Sequence, residues 1–149
     1  DPAQERRLRL KLPEFELATH AAGHGWTEVD LTDSFAHWMA AHRYREAYFR
    51  SPGDLDLALD RFTAAVAEQV NAALAVADET TVVGLVGAGA LFGLTHVSAV
   101  IERAALAIRG RLLVFFPGHY DRGNYRLLDA RDGWNYHAVP ITPKELSDS

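Results

Sequence analysis

The stretch "TTVVGLVGAGALFGLTHVSAVIERAALAIRGRLLVFF" occupies residues 80–116 and decides the fold. Its first seven residues carry no charge and are rich in β-branched side chains. That pattern fits a strand covered on both faces. Its last six, "RLLVFF", are apolar after Arg111 and read as a second strand. Between them Val97, Val100, Ile101, Ala104 and Ile108 recur at helical spacing, with Thr95 as the expected cap and Gly110 as the expected left-handed exit. Strand, helix, strand in so short a span is a βαβ unit, so the two strands should be parallel.

Outward from this unit the chain continues in the same style. Leu55, Leu59, Phe62, Val66, Val70 and Leu74 fall at steps of three and four and predict a helix capped by Asp54. Asp33 predicts the start of another helix running to Phe49, with Ser51-Pro52-Gly53 ending it. "WTEVDL" (26–31) reads as a short strand. Leu8, Leu10 and Leu12 alternate with charged residues, which predicts a half-buried strand, followed by a helical turn over 14–24 that Gly23 and Gly25 stop. "NYRLLDARDGWNYHAVPI" (124–141) reads as a β-hairpin with Asp132-Gly133 near its turn, and a polar end follows from Pro143. The expected fold is therefore α/β: a mostly parallel open sheet with helices on both faces and a C-terminal antiparallel β-hairpin, in a single domain over 1–149.

Composition narrows the function. The chain has 149 residues, 48% hydrophobic and 23% charged, ordinary values for a globular domain. It has no cysteine, which removes a disulfide scaffold, a thiol nucleophile and a zinc ribbon, and fits a reducing compartment. A net charge of −5 gives no overall attraction to duplex DNA. The longest apolar run, 82–94, is broken by four glycines and is too short to span a bilayer. No signal peptide is visible.

The glycine turn invites comparison with a phosphate loop. Ala88, Gly93, Leu94 and Thr95 have the spacing of that motif, but Leu94 stands where its lysine belongs. No apolar strand ends in an aspartate placed to hold magnesium. We read Gly87, Gly89, Gly93 and Gly118 as turn and close-approach residues. His20 and His24 sit four apart but lack a third metal ligand at recognisable spacing, so no metal site is assigned. His37 and His42, five apart, do not share a helical face, and His96 falls in a first helical turn. Ser98 is inside a helix pattern rather than on a nucleophile elbow. Asp129 and Asp132 flank a turn, where aspartate serves local hydrogen bonds. No catalytic residue and no cofactor is therefore assigned. "HRYREAYFR" (42–50) interleaves Arg43, Arg45 and Arg50 with aromatics and suits either a nucleic-acid surface or an amphipathic helix with snorkelling arginines. "FFPGHYDRGNYRLLDARDGWNY" (115–136) concentrates aromatics, arginines and aspartates around turns. It suits an interface anchored by arginine and tyrosine, or a rigid β-edge.

At this stretch the chain resembles a known family. "RLLVFFPGHYDRGNYRLLD", preceded by "VVGLVGAGALFG", is similar to the BrxB family of bacteriophage-exclusion (BREX) defence systems. The residues that carry the resemblance are Phe116, Pro117, Gly118, Tyr120, Arg126 and Leu127. His119 stands where an acidic residue is usual, the chain is shorter than typical members, and the similarity spans 80–141. The resemblance implies a non-enzymatic subunit of an antiviral complex in a prokaryotic cytoplasm. It would work beside a large AAA+ ATPase, a DNA methyltransferase and a PglZ protein of the phosphatase superfamily. PglZ is the expected direct partner, with DNA reached only through the complex. The expected binding surface comprises Phe116, Pro117, His119, Tyr120, Tyr125, Arg126 and Arg131. Two other readings stay open: a degenerate phosphate-binding enzyme using residues 87–95 with His96 or His119, and a DNA-binding module built on Arg43, Arg45 and Arg50.

Overall fold

Three parallel strands form the sheet in the computed structural model, which describes residues 2–122, 124–127, 130–131 and 138–141. They are β1 (Gly25–Asp30), β2 (Thr81–Val86) and β3 (Arg111–Val114), in the order β1-β2-β3. Val29 stands opposite Leu85, and Leu85 opposite Val114. β2 is the middle strand, and residues 83–86 are buried. A strand paired on both edges and covered on both faces has nowhere to place a charge, which accounts for its composition.

Right-handed crossovers between strands that advance in one direction put both connecting helices on one face. These are α4 (Leu59–Val76) and α5 (Val97–Ala104). Phe62, Val66, Val70 and Leu74 of α4 join Val100 and Ile101 of α5 over Val83 and Leu85 in one core. The expected parallel βαβ unit is thus present.

The opposite face is covered by α1 (Pro2–Ala21). The alternation of leucines at 8–12 had predicted a strand there, and the structure overturns it. Leucine forms helices readily, and Leu8, Leu12, Phe15 and Thr19 also make a stripe at helical spacing. Leu12 is buried, and the Phe15 ring meets Phe115 edge-to-face at 5.1 Å. Pro13 lies inside the helix on its exposed side, and its missing N–H removes one bond of the helix ladder.

The helix expected over 34–49 is two helices, α2 (Ser34–Ala41) and α3 (Arg45–Arg50). The break falls at His42, whose backbone is extended. Its ring packs on Trp38 at 4.8 Å and Tyr48 at 5.1 Å, and its Nδ1 accepts the Tyr44 N–H at 3.2 Å. A side chain that satisfies a backbone donor competes with the helix ladder. Asp33 stands at the N-cap without a side-chain capping bond. The expected Asp54 cap is also absent, because Pro52–Ala58 is a 3₁₀ turn and α4 starts only at Leu59.

Two further expectations are corrected. Thr95 does not cap α5; His96 holds that position, and the Thr95 hydroxyl instead meets the Thr63 hydroxyl at 2.7 Å across the two helices. Gly110 is not a left-handed helix exit. Its φ is not positive, α5 ends at Ala104, and the reason for glycine is steric.

A second small sheet follows, with β4 (His119–Asp121), β5 (Asn124–Leu127) and β6 (Ala130–Arg131) antiparallel in that order. The hairpin expected over 124–141 is not what these pairings make: β5 is flanked by β4 and β6. The expected turn at Asp132-Gly133, like the expected polar end from Pro143, lies outside the described residues.

Candidate functional site at the carboxyl edge of the sheet

Parallel strands deliver their carboxyl ends to one edge, the usual place for ligands in an open α/β sheet. Here that edge gathers residues 30–32, 87–95 and 115–118. A Cβ added at Gly89 would stand 3.0 Å from Pro117 Cγ, so the turns after β2 and β3 are in contact.

The glycine turn is closed on itself. Gly87 and Gly93 adopt the left-handed conformation, with φ of 75° and 77°. Between them Ala88–Leu91 is a 3₁₀ turn. Four backbone donors of the turn and its exit are spent within it: Ala90 N–H on Gly87 O at 3.0 Å, Phe92 N–H on Gly89 O at 3.2 Å, Leu94 N–H on Leu91 O at 2.9 Å and Thr95 N–H on Leu91 O at 3.0 Å. A phosphate cradle needs those N–H groups free and convergent. Leu91, at 1% exposure, and Ala88 are packed into the core, and Leu94 rests against it.

Gly87 is also required by its neighbour. A Cβ there would stand 2.5 Å from Thr32 Oγ1 and 2.8 Å from Asp30 Oδ1. These atoms belong to a latch that joins α1 to the end of β1. Arg9 Nη1 donates to Asp30 Oδ2 at 2.9 Å, and Arg9 Nη2 donates to Thr32 Oγ1 at 2.6 Å. Arg9 Nε is shared with Glu5 at 3.1 Å. Thr32 returns its own N–H to Asp30 Oδ1 at 2.9 Å. The sequence hid this latch because Arg9 was read into a strand; the Asp-x-Thr spacing at 30–32 is the local signal that points to it.

The Arg9 guanidinium is the main reason the Asp30 carboxyl is held at about 2; burial opposes it, and the Thr32 donors add to it. A pKa lowered on folding contributes stability above the unfolded value of about 3.9 and loses it as pH falls toward the folded one. Because both side chains are more than a third exposed, solvent screening limits the contribution. Asp30→Asn should cost about 1 kcal/mol at neutral pH. That gap to the wild type should close between pH 4 and pH 2 in urea unfolding. A gap that stays constant with pH would assign the cost to packing instead.

The expected binding residues fall on the turn after β3 and on the small sheet that follows it. Phe116 packs against the main core, Pro117 against Gly89, and Gly118 forms an exposed bend. Tyr120 is 42% exposed. By register, His119 stands opposite Arg126, Tyr120 opposite Tyr125, and Arg126 opposite Arg131. The small sheet thus places the backbone positions of all five side by side.

The other candidates are dispersed. His20 Nδ1 lies 3.0 Å from His24 O, and His24 Nδ1 lies 3.0 Å from Thr80 O, so each ring is tied to a different carbonyl. Among the described residues no group of three His, Cys, Asp or Glu side chains could hold a metal ion. In the basic stretch, Arg45 donates to Ala40 O at 2.9 Å and Arg50 to Glu46 O at 3.4 Å. These arginines satisfy carbonyls near the helix ends, and Arg43 lies over the Tyr44 ring at 4.9 Å.

One feature went unread in the sequence: an open depression of about 300 Å³ between α2 and α4, with Ser34, His37, Trp38, Phe62 and Gln69 around it. Ser34 Oγ donates to Gln69 Oε1 at 2.8 Å, and Gln69 Nε2 to Asp30 O at 3.2 Å. Its polar floor is thus used to tie α2, α4 and β1 together.

Among the described residues no helix is long and apolar enough to cross a membrane. Comparison with known family models, with curated proteins and with solved structures returns no match.

Proposed function

We propose that this chain is a non-enzymatic protein-interaction subunit whose binding surface is the carboxyl edge and the small antiparallel sheet beside it. The observation that carries the reading is the closed glycine turn. Four backbone donors point inward, and leucine stands in the lysine position. A turn with leucine in the lysine position, followed by strands whose register sets Tyr120 beside Tyr125 and Arg126 beside Arg131, suits a protein partner. The sequence resemblance supplies the partner's class: a PglZ-like protein of the phosphatase superfamily, in a phage-defence complex of a prokaryotic cytoplasm. An AAA+ ATPase is the further neighbour, and DNA is reached through the complex.

The test is calorimetry of the purified chain with its PglZ-like protein, wild type against Tyr120→Ala and Arg126→Ala. Anchor residues of an interface cost about 2 kcal/mol or more when truncated, roughly a thirtyfold loss of affinity. Melting temperature should stay unchanged. Unaltered affinity, or a fall in melting temperature, would contradict the assignment. The same instrument should record no heat with ATP or GTP and Mg²⁺; saturable nucleotide binding that Gly89→Val abolishes would favour the phosphate-binding alternative.

A further inference from the structure

We propose that the outer face of α1 is a second interface, on which another copy of this chain docks antiparallel about a two-fold axis beside Leu10. The helix has two apolar sides. Leu12 faces the sheet at 7% exposure, while Leu10 and Leu17 face water at 74% and 71%. Seven residues are two helical turns, so Leu10 and Leu17 share one stripe, opposite the side that covers the sheet. Exposed leucines scattered singly need no explanation. These two do, because charges flank them in a self-complementary order.

Arg7 and Glu14 are also seven residues apart and lie along one flank of the stripe, with Leu10 midway between them. Among the described residues Arg7 has no ion-pair partner, while Glu14 is held only by Lys11 at 3.0 Å on the exposed surface. An antiparallel two-fold keeps each flank on its own side. It therefore sets Arg7 of one copy against Glu14 of the other, twice, and brings the two Leu10 side chains together at the centre. Leu17 then lies over the second copy's first helical turn. A parallel two-fold would swap the flanks and carry Arg7 of one copy to the side away from Glu14 of the other. One patch that complements itself is the condition for a closed two-fold dimer, and this selects a second copy as the occupant. The contact involves one helix from each side and falls below the ~800 Å² per partner of a stable interface, so a micromolar dimer is expected.

Sedimentation equilibrium of the full chain tests this. The apparent mass should rise from 16.5 kDa toward twice that value. The rise should span concentrations from about 10 µM to about 1 mM. Leu10→Glu should abolish the rise with circular dichroism and melting temperature unchanged, because the side chain is solvent-exposed. Arg7→Glu should weaken association about tenfold, and adding Glu14→Arg should restore it. A monomer at every concentration, a dimer indifferent to Leu10→Glu, or a double charge swap that fails to rescue would each overturn the proposal. The two surfaces are read separately, because Arg7, Leu10, Glu14 and Leu17 are not among the residues assigned to binding at the carboxyl edge.

Discussion

Gly110→Ala is expected to be among the most damaging single-methyl additions to this protein, costing about 3 kcal/mol. Gly110 leads into β3, and a Cβ there would press into the carbonyl oxygen of Thr81, with Asp78 O at 2.8 Å and Glu79 O at 3.3 Å. The obstacles are backbone atoms, and they are pinned. Asp78 Oδ1 accepts the Thr80 N–H at 2.9 Å and the hydroxyls of Thr80 and Thr81 at 2.8 Å each. The Thr81 N–H returns to Asp78 O at 3.2 Å. A turn braced this way gives little, so the strain passes into the pairing of Arg111 with Val82. For a domain of this size the melting temperature should fall by roughly 6–12 °C. Gly53→Ala is the control: nothing lies within 4 Å and its φ is not positive, so it should stay within about 0.5 kcal/mol of the wild type. Equal melting temperatures for the two variants would refute the steric account.

Phe62→Ala should cost about 3–5 kcal/mol, the range for truncating a buried aromatic ring. Phe62 is fully buried, and its ring centroid lies 5.3 Å from Phe35 and 5.5 Å from Trp38. It is the aromatic contact through which α2 rests on α4, so its loss removes dispersion contacts on both helices and leaves a void open to the neighbouring depression. Phe62→Leu, which keeps most of the volume, should cost less than half as much. Urea unfolding measures both, with an unchanged denaturant slope identifying a change in stability alone. A loss below about 1 kcal/mol would mean that α2 collapses onto α4 and refills the site.

The parts of the fold that were legible in the sequence are those where a single element determines its own pattern. β2 announces itself because a central strand excludes charge from every position, and α4 because Phe62, Val66, Val70 and Leu74 meet one face at every turn. The candidate site was legible to the same extent. Leu94 in place of lysine spoke against a phosphate loop before any coordinate, since no backbone arrangement supplies a missing charge. That four donors of the turn and its exit are bonded within it could not be read, because Ala88, Gly89, Ala90 and Leu91 are compatible with either an open or a closed turn.

What the sequence by itself determined is the parallel βαβ unit and the absence of a charged cradle at its turn, because both follow from which residue types stand at given spacings. The tertiary structure alone decided the rest. Leu8, Leu10 and Leu12 fit a strand and a helix equally, and the choice fell to helix once the sheet needed a cover. Arg9 meets Asp30 across 21 positions of chain, and Gly110 meets Thr81 across the sheet. Contacts between residues so far apart carry no periodicity along the chain, so only the folded packing defines them.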